Sequence, residues 1–530
     1  MSNIEKSIFA LISFILSAVI VISILSKFSF LLPIQVAVFL VLLFLTVILF
    51  NKYSIKKNAY IVFSAILVIA CVISYIYADF KINVRDYIFI LVTSLFAGFN
   101  FSFLPMDFKK KVFLVPVFIA LWLSMILFTR FISSPHSFFI GDNFYDSMAL
   151  NINVIAGFLV LVYPLFFIFI KDNKNVNVFI AMTIFVLFAI FLTKSRIGIF
   201  LSFAVTIIFL LLHRKKSRCI KFLVIAGIIL LILAIFYTSF LKINFNSISD
   251  RIIWWKTAYL MFKKNIFFGC GLGNYTVLFK TFRPELVLNT LYAHNIILEL
   301  LAEIGIFGIL SFIALVGSFY IKIINKIAEK KDVSFYIPVF FSVTTFLIMN
   351  LFDYSFFVPA NMLMFFVVVS SVFNLDLNKS QNNKINTIVL ISLYSIFAIF
   401  VAKPVIGQIH YKKGIEFYVA NQYKIAIEEF EKAIKFDKNN PEYYAQVSRA
   451  YFALYDKMRE VGQIYADKAI EYNKKAIELY KNSGDLRASL ASIYWNKGQK
   501  ELALKTMQEA IKYDRFNPYF EENLYKMKNY

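Results

Sequence analysis

The sequence predicts an all-α fold: a polytopic bundle of about 12–13 transmembrane helices, followed by a domain of helical repeats. Of the 530 residues, 60% are hydrophobic, whereas soluble domains average about 45–50%. This excess lies in apolar runs of about 18–22 residues, the length that crosses a hydrocarbon core about 30 Å thick. The last part of the chain is instead rich in charged residues and tyrosine, with helical periodicity.

The apolar runs predict where the membrane helices lie. They occupy approximately residues 7–26, 30–50, 59–78, 86–104, 112–131, 149–170, 176–193, 197–213, 221–240, 292–322, 333–352, 355–374 and 385–402. The first run is too long for a cleavable signal and no small-x-small site follows it, so we expect a retained first helix.

Charge in the loops predicts the orientation. Lys and Arg cluster after the even-numbered runs, which places those loops and the N-terminus in the cytoplasm. The segments 129–148 and 241–291, and everything after Lys403, are then outside the cytoplasm. Because the loop clusters account for much of the net charge of +23, and no basic stripe carries interleaved aromatic residues, we expect no nucleic-acid partner.

The charged tail, 403–530, contains an internal repeat that is distinct from the membrane domain, 1–402. Small and aromatic residues recur with identical spacing at Gly414, Phe417, Ala426, Phe430 and Ala433, and at Ala491, Tyr494, Ala503, Met507 and Ala510. Small residues at fixed positions let paired helices pack closely, and a period of about 34 residues is typical of tetratricopeptide repeats. The resemblance covers about 407–518 and implies three repeats with 519–530 as a cap. A plain amphipathic bundle is the alternative.

Two polar segments near the predicted outer face contain arginines. Ser195 and Arg196 lie in the tight turn between two membrane runs, where a cation can also simply reach the lipid headgroups. Arg251 lies in the expected outer loop, 241–291, shortly before a pair of tryptophans that would suit an interfacial anchor. Gly271 and Gly273 follow in a Gly-x-Gly-x-Gly pattern that could bring backbone N–H groups to a phosphate. The pattern lacks the preceding strand and the spacing of a dinucleotide site.

The third segment contains a scarce histidine, one of four in the chain. His294 is predicted in the first turn of the tenth helix, where the helix dipole favours the neutral imidazole and hence a general base. Asn295 follows it directly. A hydrogen-bonded structural role at the helix start is the alternative for His294. Glu299 and Glu303 lie one turn apart on that helix, and each is expected to have a partner such as an arginine.

Taken in order, the Ser-Arg turn, the Arg-x-x-Trp segment with its glycines, and the His-Asn with a downstream Glu-x-Gly resemble the O-antigen ligase (Wzy_C) family over about 180–310. The resemblance implies an integral-membrane glycosyltransferase of a bacterial plasma membrane. It would transfer a glycan from an undecaprenyl-diphosphate carrier to an acceptor on the outer face. By residue match, Arg196 and Arg251 would bind the donor diphosphate and His294 would activate the acceptor. Supporting roles would fall to Ser195, Asn295, Glu299, Glu303, Gly271 and Gly273.

This chemistry suits the residue types, because guanidinium groups bind a diphosphate bidentately where water is scarce. We expect no metal and no cofactor, since no Asp-x-Asp or carboxylate–histidine cluster faces outside. Ligase, polysaccharide polymerase and protein O-glycosylating enzyme all remain open, with a lipid, a glycan or a protein as acceptor. A protein partner could bind the repeats. Two alternatives come from other functional classes. One is a polysaccharide transporter or flippase, which would be expected to have two halves related by an internal repeat. The other is a membrane-anchored repeat scaffold.

Overall fold

The computed structural model describes residues 3–25, 32–55, 58–135, 151–170, 176–212, 246–373, 377–379, 384–458 and 462–529. Within these ranges almost all regular structure is helical, which confirms the all-α prediction. The helices of the membrane half and of the segments beside it are α1 (Asn3–Leu25), α2 (Leu32–Lys52), α3 (Ala59–Tyr77), α4 (Lys81–Ser102), α5 (Met106–Ser133), α6 (Ile152–Val162), α7 (Val176–Leu192), α8 (Arg196–Leu212), α9 (Asn246–Lys264), α10 (Tyr275–Phe282), α11 (Ile296–Ala328), α12 (Val333–Met349) and α13 (Pro359–Ser370).

Apolar side chains cover the outside of this bundle as well as its core. Phe14, Ile69 and Phe200 are exposed, which is favourable only against lipid, because water would penalise so much apolar surface. Among the described residues six helices are long and apolar enough to cross a membrane, and five shorter apolar helices accompany them. The protein is therefore a multi-pass membrane protein. The predicted run 221–240 lies outside the described residues.

One end of the bundle is tied together by polar contacts. The strands β1 (Tyr53–Ile55) and β2 (Leu377–Lys379) form an antiparallel ribbon, and the buried Lys109 donates a hydrogen bond from Nζ to the Ser371 carbonyl (2.9 Å). The connected segments follow the second, fourth and twelfth apolar runs. They lie on one side of the bundle, as the Lys and Arg distribution requires of even-numbered loops.

The C-terminal part is a stack of paired helices. Its helices are α14 (Lys384–Val419), α15 (Tyr423–Phe436), α16 (Pro441–Lys457), α17 (Gln463–Leu479), α18 (Gly484–Asn496), α19 (Lys500–Tyr513) and α20 (Pro518–Asn529). Small residues allow the close packing that the sequence predicted: a Cβ at Gly414 would come within 2.5 Å of the Phe430 ring. The final helix caps the stack by burying Phe520. The expected domain boundary at 402/403 falls inside α14, so the last apolar run continues as one helix into the first repeat.

Candidate functional site

The helix that carries Glu299 and Glu303 is broken, which makes room for the segment after α9. Gly305 has φ 63° and ψ −166°, outside the helical region. The break frees backbone groups on both sides of it, and buried groups of this kind need new partners. Segment 266–271 supplies them through four hydrogen bonds: Ile306 N–H to Ile266 O (2.9 Å), Phe307 N–H to Phe267 O (3.3 Å), Cys270 N–H to Ala302 O (2.9 Å) and Gly271 N–H to Glu303 O (2.8 Å).

We expect Gly305→Ala to destabilise the protein, because a Cβ there would lie 2.4 Å from the Phe267 carbonyl oxygen at a positive φ. Backbone strain of this kind costs about 1–3 kcal/mol of unfolding free energy. Denaturant unfolding in detergent micelles measures the change. The matched control is Gly317→Ala on the same helix, where a Cβ would meet nothing within 4 Å. If both variants unfold alike, the break at Gly305 does not constrain the fold.

The glycine pattern closes this junction, and the N–H of Gly271 serves the protein's own backbone. Gly271 (φ 106°) and Gly273 (φ 81°) both adopt the left-handed region, where a side chain is costly. A Cβ at Gly273 would collide with the Tyr87 ring, and the N–H of Gly271 already donates to the Glu303 carbonyl. The suggestion that these glycines approach a phosphate is therefore wrong for Gly271, because its N–H group is engaged within the protein.

The two glutamates hold backbone segments together, and within the described residues neither contacts an arginine, which the sequence suggested as one kind of partner. Glu299 is buried and its Oε2 accepts a hydrogen bond from the Ala293 N–H (2.9 Å). Glu303 is also buried, and its Oε1 accepts from the Tyr275 N–H (2.9 Å). A carboxylate can pair with backbone donors as well as with a cation. Glu299 thus anchors the residue next to His294, and Glu303 anchors the start of α10.

His294 precedes the helix, contrary to the predicted first-turn position. Asn295 is the N-cap of α11: its side chain accepts from Ile297 N–H and Leu298 N–H (3.0 Å each). His294 comes one residue earlier with φ 54°, a conformation that costs free energy in a non-glycine residue and is common at functional sites. His294 therefore lies outside the helix, directly before its N-cap.

Aromatic rings hold the imidazole in place. It stacks on Trp254 (centroids 4.8 Å apart, interplanar angle 24°) and meets the edge of Tyr354 (4.9 Å, 79°). Trp254 is thus a wall of the site, where the sequence suggested a membrane anchor. Burial, followed by the positive charge of Arg251, lowers the pKa of His294 to about 4. The imidazole is therefore neutral at physiological pH, and no described residue donates to or accepts from its ring nitrogens.

The two predicted arginines lie in the same electrostatic environment. Arg251, half-buried on α9, has its pKa lowered by burial and also by the charge of Arg196, while Asp353 opposes the shift. Arg196 is exposed at the first residue of α8. Ser195 precedes it, and its Oγ accepts from the Gly198 N–H (3.3 Å), so that serine caps the helix. The Nε of Arg251 is buried without a hydrogen-bond partner in the described structure, a costly state that an anionic ligand would relieve.

Comparison with known proteins identifies the segment that contains this site. The family described as O-Antigen ligase (Wzy_C) matches residues 181–313, and Tetratricopeptide repeat matches residues 485–517. Residues 181–313 are an O-antigen ligase domain. Arg196, Arg251 and His294 all lie within it.

One curated protein is similar to part of this chain. The chain is 26% identical over 269 residues to the teichuronic acid biosynthesis protein TuaE of Bacillus subtilis (strain 168), covering 44% of this chain and 55% of that protein. This chain thus spans about half the length of that relative.

Solved structures with tetratricopeptide repeats also align with the chain. The first such domain of Spaghetti, bound to an HSP90 peptide, is 18% identical with a TM-score of 0.21, covering 23% of this chain and 91% of that one. The Cut9–Hcn1 hetero-tetramer is 11% identical with a TM-score of 0.21, covering 83% and 76% respectively. Scores at this level do not establish a common overall fold.

Two residues of the site escaped the sequence reasoning, and both lie beyond the end of the O-antigen ligase domain. Asp353 and Tyr354 join two apolar runs. Asp353 Oδ1 accepts from the N–H groups of Tyr354 (2.6 Å) and Ser355 (2.9 Å), and burial raises its pKa to about 6 despite these bonds and Arg251. An acidic residue between two apolar runs is a signal that could have identified it, because such residues are costly near a membrane.

Proposed function

We propose that this protein is a membrane glycosyltransferase that transfers a glycan from an undecaprenyl-diphosphate carrier to an acceptor on the outer face of a bacterial plasma membrane. The observation that carries this proposal is a neutral His294 close to the charge of Arg251, which is in turn close to the charge of Arg196, inside an O-antigen ligase domain. A base beside two phosphate-binding cations is the arrangement that glycosyl transfer from a diphosphate needs.

Each side chain has a defined task in this reaction. The acceptor O–H attacks the anomeric carbon of the donor while an imidazole nitrogen of His294 takes its proton. The bond between that carbon and the diphosphate oxygen breaks, and its electron pair leaves with the diphosphate. Arg251 and Arg196 stabilise the charge on this leaving group, and the unpartnered Arg251 Nε offers it a buried donor. The exposed Arg196 can follow the leaving group as it departs.

A polymerase of the same family is the second candidate, in which the acceptor is the growing glycan itself. The relationship to a teichuronic acid biosynthesis protein favours it, because teichuronic acid is a polysaccharide. The same site and the same proton transfer would serve both reactions. They differ only in the acceptor, which is a lipid for the ligase and a glycan end for the polymerase.

The proposal also fixes an orientation, with the N-terminus in the cytoplasm and the repeats outside it. In support, the repeats contact the membrane domain through Arg85, in the first turns of α4, and Arg283, directly after α10, and the charge distribution assigns both positions to the outside. The site around His294 belongs to the same set of loops.

A deletion strain tests the function and the orientation together. We expect it to accumulate glycan on its lipid carrier, measured by mass spectrometry of extracted lipids. Complementation with the chain carrying, after Lys528, a reporter active only in the cytoplasm should empty this pool while the reporter stays silent. An unchanged carrier pool in the deletion strain would refute the transfer, and an active reporter would refute the orientation.

A further inference from the structure

In each of the three repeats, the residue at one equivalent position faces the membrane domain. The second helix of each repeat is followed directly by one such residue, and these residues are Asp437, Tyr480 and Asp514. The N–H group of each donates to the carbonyl of a buried alanine four residues earlier. The three share one backbone conformation, with φ between −146° and −133° and ψ between 77° and 82°. Because their backbones superimpose in this way, the three side chains line one edge of the stack, which we call the repeat edge.

Each residue of the repeat edge contacts the membrane domain. Asp437 Oδ2 accepts from Arg85 Nη1 (2.7 Å), the Tyr480 hydroxyl donates to the Val277 carbonyl (2.7 Å), and Asp514 Oδ1 accepts from Arg283 Nη2 (2.6 Å). The side chains of Arg283 and Asp514 are each only 4% exposed, so this ion pair is shielded from water and salt, unlike an ordinary surface pair. The repeats are thus docked onto the membrane domain at these three points, in addition to their covalent connection through α14.

Arg283 connects the repeat edge to the loop that follows it. Its Nη1 also reaches the Val287 carbonyl (3.4 Å) and the Asn289 Oδ1 (3.2 Å). Between these two residues, the Leu288 carbonyl accepts a hydrogen bond from Trp254 Nε1 (3.2 Å), and Trp254 is the ring on which His294 stacks. Contacts therefore run without a gap from Asp514 through Arg283 and the loop to the imidazole.

A second set of contacts ends at the same tryptophan. Tyr480 holds Val277 in α10, and Tyr275 at the start of that helix donates from its hydroxyl to the Trp254 carbonyl (3.0 Å). The Tyr275 N–H also donates to Glu303. Two separate contacts of the repeat edge thus support the position of Trp254.

We propose that the repeats are a positioning element of the active site, with Arg283 as the positioning residue that holds Trp254 beneath His294. The proposal rests on the proposed function for its kinetic consequences. The repeat edge is covered by the membrane domain of the same chain. A protein partner would therefore have to bind elsewhere on the repeats. A histidine displaced by an ångström from its productive place loses about 10²-fold in rate.

Three variants of the full-length protein in detergent test this role. Arg283→Lys keeps the charge pair with Asp514 but loses the planar fork, in which Nη2 binds Asp514 while Nη1 reaches Val287 and Asn289. Asn289→Ala removes one of these contacts at an exposed position, so it should fold normally. Asp437→Asn is the matched control, because it weakens an equivalent docking contact whose arginine does not reach the loop 283–291.

We expect Arg283→Lys to lower kcat about 10- to 100-fold with the donor KM unchanged, Asn289→Ala to lower it less, and Asp437→Asn to retain the wild-type kcat. A second readout does not depend on turnover: the rate at which diethyl pyrocarbonate modifies His294, followed by peptide mass spectrometry. Loss of the Trp254 cover should raise that rate in Arg283→Lys but not in Asp437→Asn.

The two readouts separate the two proposals. If the wild-type protein transfers no glycan while Arg283→Lys still exposes His294, the proposed function fails and the positioning role stands. If Arg283→Lys leaves both kcat and His294 reactivity unchanged, or if Asp437→Asn changes them equally, the positioning role is refuted.

Discussion

His294→Gln is expected to give a folded protein that binds the donor but transfers glycan about 10²–10⁴-fold more slowly, the usual contribution of general-base catalysis. Glutamine keeps a hydrogen-bonding side chain but cannot take up a proton near neutral pH. His294→Ala should lower the transfer rate by as much. This variant also leaves a gap where the imidazole lay between Trp254 and Tyr354. Transfer in membranes with a purified lipid-linked donor measures the rate, and donor binding is measured separately.

The pH dependence of the native enzyme provides an independent check. In the free protein the pKa of His294 is lowered to about 4, so kcat/KM should fall as the pH drops through about 4, where the imidazole becomes protonated. A bound diphosphate opposes the charge of Arg251 and raises the pKa of His294, so kcat should fall at a higher pH than kcat/KM. Ionisation of Asp353, whose pKa is about 6, would add a second transition to the pH–rate profile. Asp353→Asn would remove that transition.

One outcome would contradict the base assignment. If His294→Gln folds, binds the donor and turns over at the wild-type rate, His294 serves only to complete the structure before α11. The assignment is supported if His294→Gln folds but transfers glycan slowly, and if its remaining transfer rate no longer falls at low pH.

Arg251→Lys is expected to be nearly as damaging as Arg251→Ala, with transfer lowered about 10²–10³-fold, the scale of removing one charge-stabilising donor. Lysine keeps the charge but not the planar fork that binds two phosphate oxygens. The Nε of Arg251, buried and without a hydrogen-bond partner among the described residues, makes this loss specific, since lysine has no donor at that position. The same transfer assay, with varied donor concentration, gives kcat and KM.

Lys263→Ala is the matched control, because it removes an exposed cation from the same helix, α9. It should transfer at the wild-type rate. Near-normal turnover of Arg251→Lys would show that a point charge suffices, and a loss in Lys263→Ala as large as that in the arginine variants would point to the overall charge of α9 instead.

Several parts of this protein could be predicted from local sequence patterns. The apolar runs predicted membrane helices because a bilayer demands about 20 consecutive apolar residues wherever a helix crosses it. Gly414, Ala426 and Ala433 predicted the first repeat because paired helices approach closely only where side chains are small, and all three lie at such contacts. The order of Arg196, Arg251 and His294 was sufficient to indicate the O-antigen ligase family.

Only the tertiary structure decided how these residues are held. Segments distant in sequence determine three features of the site: the left-handed conformation of His294 before its helix, the break at Gly305, and the backbone partners of Glu299 and Glu303. Arg283 and Asp514 are more than 200 residues apart and pair only after both domains have folded. Helical periodicity reports which face of a helix is buried, but it does not identify the residue that lies opposite. The sequence alone therefore determined the architecture and the candidate site residues, while tertiary contacts determined the geometry in which those residues are held.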